Sequence, residues 1–166
     1  MATGADDRYW ERQGLPSVFK HDLLRRYLPH VGGKTGSKAR GVVYLDGYAG
    51  RGRYEDKTPG SAERIMQIVE QQVTVGIDHQ LFFYESDQKS YVPLKQVVDE
   101  YVARGLRAKA SDDDVITGLP EVITAAAHRA GVRAIGYANK DGKAARFKKA
   151  SADLVITSMS ELFAHV

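Results

Sequence analysis

The spacing of apolar and polar positions predicts an α/β chain in which short strands alternate with amphipathic helices. Strands are expected in the apolar runs at 42–46, 81–85, 106–110, 132–136 and 154–157. Helical spacing predicts helices at 17–27, 62–72, 91–103, 120–130 and 143–150. Because strands that alternate with helices usually pair in parallel, we expect a Rossmann-like fold with a mostly parallel sheet and helices on both faces.

The order of these elements predicts a single α/β domain over residues 1–166, built from an N-terminal extension, a central half and C-terminal βα units. The extension, residues 1–40, contains a helix that Pro29 ends and a flexible basic loop at 32–38. The central half covers 41–110 and the C-terminal units cover 111–166. After Thr124 the helices become rich in alanine, which indicates a junction between Arg107 and Thr124.

The first strand, predicted to be fully buried, ends in a glycine-rich turn: Asp46-Gly47-Tyr48-Ala49-Gly50-Arg51-Gly52. A strand that leads into such a turn before a helix is typical of nucleotide-binding α/β proteins. Gly50 and Gly52 would let the backbone approach a ligand where a Cβ would collide. Asp46 would meet the cationic or hydroxyl-bearing part of that ligand. A tight strand-to-helix connection with no ligand is the alternative.

The spacing of the glycines indicates which nucleotide this turn would bind. It does not fit the dinucleotide fingerprint G-x-G-x-x-G. It resembles the acid-x-x-x-G-x-G turn of S-adenosylmethionine-dependent methyltransferases, with Tyr48 in place of that turn's usual first glycine. The predicted cofactor is therefore S-adenosylmethionine.

Two further acids follow strands and extend the candidate site. Glu85, after the second strand, would accept hydrogen bonds from ribose hydroxyls; a solvated strand end is the alternative. Asp112 follows the third strand and begins the acidic run 112–114, which could bind a hard cation through oxygen or form a solvated loop. The predicted cofactor-binding residues are Asp46, Gly47, Tyr48, Gly50, Gly52, Glu85 and Asp112. The sequence assigns no catalytic residue.

Composition narrows the function classes. The chain has no cysteine, which excludes disulfides and thiolate metal sites, and its histidines lack ligand spacing, so no metal site is predicted. No apolar run approaches the ~18 residues of a membrane span, and the polar, acidic start at 1–7 does not resemble a signal peptide. We therefore expect a cytoplasmic protein without membrane contact. The net charge of +3 does not by itself indicate a nucleic-acid partner.

Several basic residues and one histidine could contribute to a substrate groove. A groove for a phosphate-rich substrate could be lined by five basic residues: Lys34, Lys38, Arg40, Arg51 and Arg53. Ordinary solubilising surface charge is an equal alternative for these residues. His21 could approach the pocket as a base, although a surface position on the first helix is the favoured interpretation.

A set of motifs in the first two thirds of the chain has the order and spacing of a known family. They are Trp10, Lys20-His21, Leu23-Leu24, Tyr27, the run 44–54, Gly60-Ser61 and the run 82–87. Over about residues 9–110 the chain resembles the three-Cys-motif partner protein family. The resemblance implies a methyltransferase-like Rossmann fold and an S-adenosylmethionine pocket with Asp46, Gly50, Gly52 and Glu85. It implies no substrate; a protein partner or a nucleic-acid-related substrate is expected, and the oligomeric state stays open.

The last third resembles another group. The runs 126–140 and 151–162 are similar to the C-terminal end of haloacid-dehalogenase-like hydrolases. Their chemistry needs an aspartate nucleophile in a D-x-D-G pattern, and that pattern places Tyr44 at the nucleophile. A tyrosine cannot form the acyl-phosphate there. Mg²⁺ would be a cofactor only under this alternative.

Three functional hypotheses therefore remain. The leading one is an S-adenosylmethionine-binding, class I methyltransferase-like protein whose substrate is unknown. The second is a haloacid-dehalogenase-like phosphohydrolase, inactive because of Tyr44. The third is a non-catalytic partner protein that keeps only the fold.

Overall fold

The computed structural model describes residues 10–11, 14–38, 41–73, 76–131, 134–138, 141–158 and 161. In chain order its elements are α1 (Leu15–Lys38), β1 (Val42–Asp46), α2 (Ser61–Val73), β2 (His79–Tyr84), α3 (Gln88–Ala103), β3 (Ala108–Ser111), α4 (Val115–Ala130), β4 (Ile135–Tyr137), α5 (Lys143–Lys149) and β5 (Leu154–Ile156). The predicted mixed α/β class is confirmed. None of the described helices is long and apolar enough to cross a membrane.

The chain groups into two compact units, residues 1–115 and residues 116–166. The boundary between them lies within the junction predicted at 107–124. The described strands form two parallel sheets, one of three strands and one of two. The single five-stranded sheet expected from the sequence is therefore wrong, since apolar runs mark strands without specifying which strands pair. That the chain is one domain stays a prediction.

In the first unit the strands lie in the order β1-β2-β3. Asp46 is paired with Phe83, and Tyr84 is paired with Ser111. The central strand β2 is buried on both faces, since Leu81 and Phe83 point one way and Phe82 and Tyr84 the other. By contrast, β1 is only partly buried and Leu45 is exposed. The expectation of a fully buried first strand was therefore wrong, because an apolar run predicts a strand without specifying what covers its two faces.

The core of the first unit lies where α2 and α3 meet the sheet. The buried residues of this core are hydrophobic: Ala49, Ala62, Ile65, Met66, Val69, Leu81, Phe83, Leu94, Val97, Val98, Tyr101 and Leu106. The predicted helices at 62–72 and 91–103 are confirmed, and α3 starts earlier than predicted. Its N-cap is Asp87, whose carboxylate accepts from the Ser90 N–H at 3.1 Å.

The first helix is longer than its sequence suggests. Pro29 was expected to end it and 32–38 to be a loop, but α1 continues to Lys38. Proline removes a helical N–H, a cost that tertiary contacts can outweigh. Here α1 packs on α2, and the Gln72 amide of α2 donates to the Pro29 carbonyl at 3.1 Å. The prediction therefore failed because the stabilising partner is distant in sequence.

The second unit is built from α4, β4, α5 and β5. The parallel pair β4 and β5 matches Gly136 with Val155. The Asp153 carboxylate accepts from the Ala134 N–H at 2.7 Å and lies 3.0 Å from His128 Nε2, which ties the start of β5 to the start of β4 and to α4. The predicted helices and strands of this region are found, although Val132 lies outside the described residues.

A buried ion pair anchors the loop between β1 and α2. Glu63 is 4% exposed and accepts from Arg53 Nε at 2.7 Å, from Arg53 Nη2, and from the Tyr101 hydroxyl at 3.3 Å. Arg53 also pairs with the more exposed Glu100 at 2.8 Å. These hydrogen bonds, Glu63 first, raise the pKa of Arg53 above its ordinary value, so the cation is permanent. One guanidinium thus joins the glycine turn to α2 and α3.

We expect Glu63→Gln to lower the free energy of unfolding by about 3 kcal/mol, because it breaks a buried, hydrogen-bonded ion pair. Glu100→Gln makes the same chemical change on the exposed side of Arg53 and should cost less than about 1 kcal/mol. Urea unfolding of both variants measures the difference. Equal losses would contradict the anchoring role of Glu63.

Candidate functional site

The three predicted acids lie at one edge of the three-stranded sheet. Because β1, β2 and β3 are parallel neighbours, their carboxyl ends meet there. Asp46 is the last residue of β1, Glu85 follows β2, and Asp112 follows β3. The Glu85 N–H donates to the Ser111 carbonyl at 3.0 Å, which keeps the ends of β2 and β3 level. The structure therefore brings together the acids that the sequence singled out.

The glycine turn has the backbone that its sequence requires. Gly50 and Gly52 have φ of +63° and +77°, in the left-handed region where a side chain is strained. A Cβ on Gly50 would collide with the Trp10 indole. A Cβ on Gly52 would lie 3.3 Å from Leu94 Cδ1 and 3.4 Å from Val97 Cβ. Packing and φ thus account for both glycines, and their contact with a cofactor stays a prediction.

Trp10 is the residue that closes the turn from outside. It is 7% exposed, its ring lies 5.4 Å from that of Tyr54, and its carbonyl accepts from the Glu55 N–H at 3.0 Å. The Arg51 guanidinium lies 5.7 Å from the Trp10 ring centroid. Sequence reasoning assigned Trp10 no role in the site, although it is the single tryptophan of the chain and one of the residues that carry the family resemblance.

Glu85 holds the turn to the sheet. Its Oε2 accepts from the Gly50 N–H at 2.9 Å and its Oε1 from the Asp87 N–H at 2.9 Å. The Ala49 N–H adds a bond to the Tyr84 carbonyl at 3.1 Å. Since each carboxylate oxygen can accept two hydrogen bonds, each Glu85 oxygen retains one acceptor position. Glu85 is therefore more than the solvated strand end considered as the alternative.

Asp46 and Tyr48 form the outer part of the turn. Asp46 Oδ1 accepts from the Tyr48 N–H at 3.2 Å, and Oδ2 accepts from the Ser61 hydroxyl at 3.0 Å. Tyr48 itself is 80% exposed. Behind the turn, a Cβ on Gly47 would lie 2.8 Å from Val115 Cγ2, so only glycine fits there without a shift. The turn thus presents an aromatic ring to solvent beside a fixed carboxylate.

Asp112 completes the edge. Its Oδ2 accepts from Gln88 Nε2 at 2.9 Å, and Asp113 accepts from the Ser111 hydroxyl at 3.2 Å. Both acids are exposed. Within the described residues no three acids or histidines are arranged to hold a metal ion. The acidic run therefore gives the hydrolase alternative no preformed magnesium site in this part of the chain.

Tyr44, which occupies the nucleophile position of the hydrolase alternative, contacts α2 and the start of β2. The Tyr44 hydroxyl donates to Gln72 Oε1 at 3.4 Å, and its ring lies 5.7 Å from that of His79. Burial raises the pKa of Tyr44 above its ordinary value, so the hydroxyl stays protonated at neutral pH. Tyr44 is therefore a packing residue between β1 and α2.

The structure shows partners for two of the candidate basic residues and corrects the expected position of His21. Arg53 is bound to Glu63 and Glu100, and Arg51 lies 3.6 Å from Glu55. These two cations are thus paired within the protein; Lys34 is exposed, and the Lys38 side chain and Arg40 lie outside the described residues. His21 is 4% exposed, with its ring 6.3 Å from that of Tyr54, so the favoured surface position was wrong. Its burial depends on a loop more than 30 residues away.

Comparison with protein-family models, with curated proteins and with solved structures finds no match to this chain. The family resemblances therefore rest on the motifs alone.

We expect Glu85→Gln to lower the free energy of unfolding by about 1–3 kcal/mol, because an amide NH₂ would face one of two backbone N–H donors. Asp112→Asn is the matched control, since an exposed amide can still accept from Gln88, and it should change stability by less than about 0.5 kcal/mol. Thermal or urea unfolding compares the two. If Glu85→Gln left the free energy of unfolding unchanged, the carboxylate would not be what holds the turn.

Proposed function

We propose that the chain binds S-adenosylmethionine at the carboxyl edge of the three-stranded sheet and is a class I methyltransferase-like protein. The observation that carries the proposal is the convergence of Asp46, Glu85 and Asp112 at the ends of three adjacent parallel strands. In open α/β sheets, ligands bind beyond the carboxyl ends of the strands. The glycine turn that supplies Asp46 also has the spacing typical of that cofactor's proteins.

The chemistry of these side chains suits the parts of the cofactor. Asp46 has acceptor positions left on its carboxylate and would bind the cationic amino-acid portion. The remaining acceptor positions of Glu85 would bind the ribose hydroxyls, and Asp112 would accept from the adenine amino group. The exposed ring of Tyr48 would stack on the adenine. The carboxylates in these roles are held by hydrogen bonds within the protein.

Methyl transfer makes few demands on acids and bases. The cofactor supplies a sulfonium that is already a good leaving group, so the protein contributes mainly by positioning the reactants. The hydrogen bonds that Glu85 accepts and the packing of Trp10 beside Gly50 fix the backbone at this edge. No described side chain needs to act as a base for the proposal to hold. The acceptor substrate stays open between a protein and a nucleic-acid-related molecule.

A second candidate is a non-catalytic partner protein that retains only the fold. It is favoured by the internal use of the same groups: Trp10 fills the space beside Gly50, and both Glu85 oxygens bind backbone N–H groups. Under this candidate the turn is a structural connection and binds no nucleotide. The two candidates therefore differ in one measurable property, affinity for the cofactor.

We expect calorimetry to show that the full chain binds S-adenosylmethionine and S-adenosylhomocysteine but not NAD. Tyr48→Ala should weaken binding about tenfold through lost stacking, whereas Tyr48→Phe should retain it. Asp112→Ala should weaken binding more than Asp113→Ala, which removes the same charge from the same loop. All three side chains are exposed, so the melting temperatures of the four variants should barely change.

Each result separates the candidates. No binding at millimolar cofactor would reject the methyltransferase-like proposal and leave the non-catalytic partner. Binding that none of the variants alters would mean that the cofactor lies away from this edge, and the assignment of the site would be wrong.

A further inference from the structure

The second unit contains a cavity of about 510 Å³ that the proposed cofactor site does not use. It lies between the apolar face of α4, the strand β4 and the helix α5. The described residues that line it all fall within 116–152. This volume is within the range of about 300–1,000 Å³ that is usual for small-molecule pockets.

The walls of the cavity are mostly hydrocarbon. On α4 they include Ile116, Leu119 and Ile123, and the opposite side carries Ile135 of β4 and Phe147 of α5. Ile123 is 61% exposed and Ile135 is 48% exposed. Binding of a hydrocarbon group to an open apolar surface of this kind is favourable, because it removes apolar area from water.

The side of the cavity formed by α5 has a defined shape. A Cβ on Gly136 would collide with the Phe147 ring, so α5 lies directly against β4. The pair β4 and β5 is fixed further by Asp153, which accepts from the Ala134 N–H. The α5 and β4 walls of the cavity are therefore packed against each other without a ligand.

The charges that line the cavity have one sign. Among the described residues that line it, two are formally charged, Lys143 and Arg146, both on α5, and none is an aspartate or glutamate. Arg146 takes part in none of the ion pairs recorded between described residues. An anion would therefore be favoured at this end of the cavity, and a guanidinium can bind a carboxylate through two parallel hydrogen bonds.

We propose that this cavity binds a small apolar carboxylate, a molecule with a hydrocarbon body and one carboxylate group. The hydrocarbon lies against Ile116, Ile123 and Phe147, and the carboxylate pairs with Arg146. This site belongs to a different unit from the proposed cofactor site, so either proposal can fail without the other.

The test uses octanoate as the probe, measured by calorimetry on the full chain. Octanoate should bind with one-to-one stoichiometry. Hexanoate should bind about 15-fold more weakly, since each methylene is worth about fourfold. Octanamide, the neutral analogue of the same length, should bind about tenfold more weakly than octanoate.

Two variants on the same helix locate the charge. Arg146→Gln should weaken octanoate about tenfold and leave octanamide nearly unchanged, so that the two ligands become alike. Lys149→Gln removes the same charge from an exposed residue of α5 that does not line the cavity, and octanoate affinity should change less than about twofold. Melting temperatures of both variants check that the fold is intact.

Several outcomes would overturn the proposal. The first is no octanoate binding at all, and the second is equal affinity for octanoate and octanamide in the wild type. The third is a loss of octanoate binding in Lys149→Gln as large as that in Arg146→Gln, which would indicate general attraction to a basic surface. The proposal is supported if affinity falls with the shorter chain, with the neutral ligand and with Arg146→Gln, but not with Lys149→Gln.

Discussion

The hydrogen bonds accepted by Glu85 are the constraint on which the candidate edge depends. One carboxylate joins the Gly50 N–H of the turn after β1 to the Asp87 N–H at the start of α3. Asp87 in turn caps α3, whose residues Leu94 and Val97 pack against Gly52. The turn, the end of β2 and the next helix are therefore fixed by a single side chain. A substitution at Glu85 would therefore affect the glycine turn, the end of β2 and the start of α3.

Packing on the far side completes this constraint. Trp10 occupies the space beside Gly50, and the Arg53–Glu63 pair holds the loop that follows the turn. The glycines are needed for these contacts whether or not a ligand binds. Stability and ligand binding thus depend on the same residues at this edge, so a binding test is informative only at exposed positions such as Tyr48 and Asp112.

The two units combine polar and apolar groups in opposite ways. At the sheet edge of the first unit the polar groups are acids that largely satisfy backbone donors. In the second unit the cavity is apolar and its lining charges are basic. An acidic edge beside a glycine turn suits the hydroxyl and amino groups of a nucleoside, whereas an apolar cavity with a guanidinium suits a hydrophobic anion. The ligands proposed for the two surfaces therefore differ in class because the side chains of the two surfaces differ in chemistry.

The sequence by itself determined the kinds of element, their approximate positions and the acids at the strand ends. These follow from apolar periodicity and from turn residues, which act between neighbours along the chain. Only the tertiary structure decided what fills the space beside Gly50, which backbone groups Glu85 binds, why Pro29 stays within a helix and why His21 is buried. It also decided that the strands form two sheets. Each of these depends on residues far apart in sequence, such as the 35 positions between Gly50 and Glu85, and local patterns carry no record of which distant groups will meet.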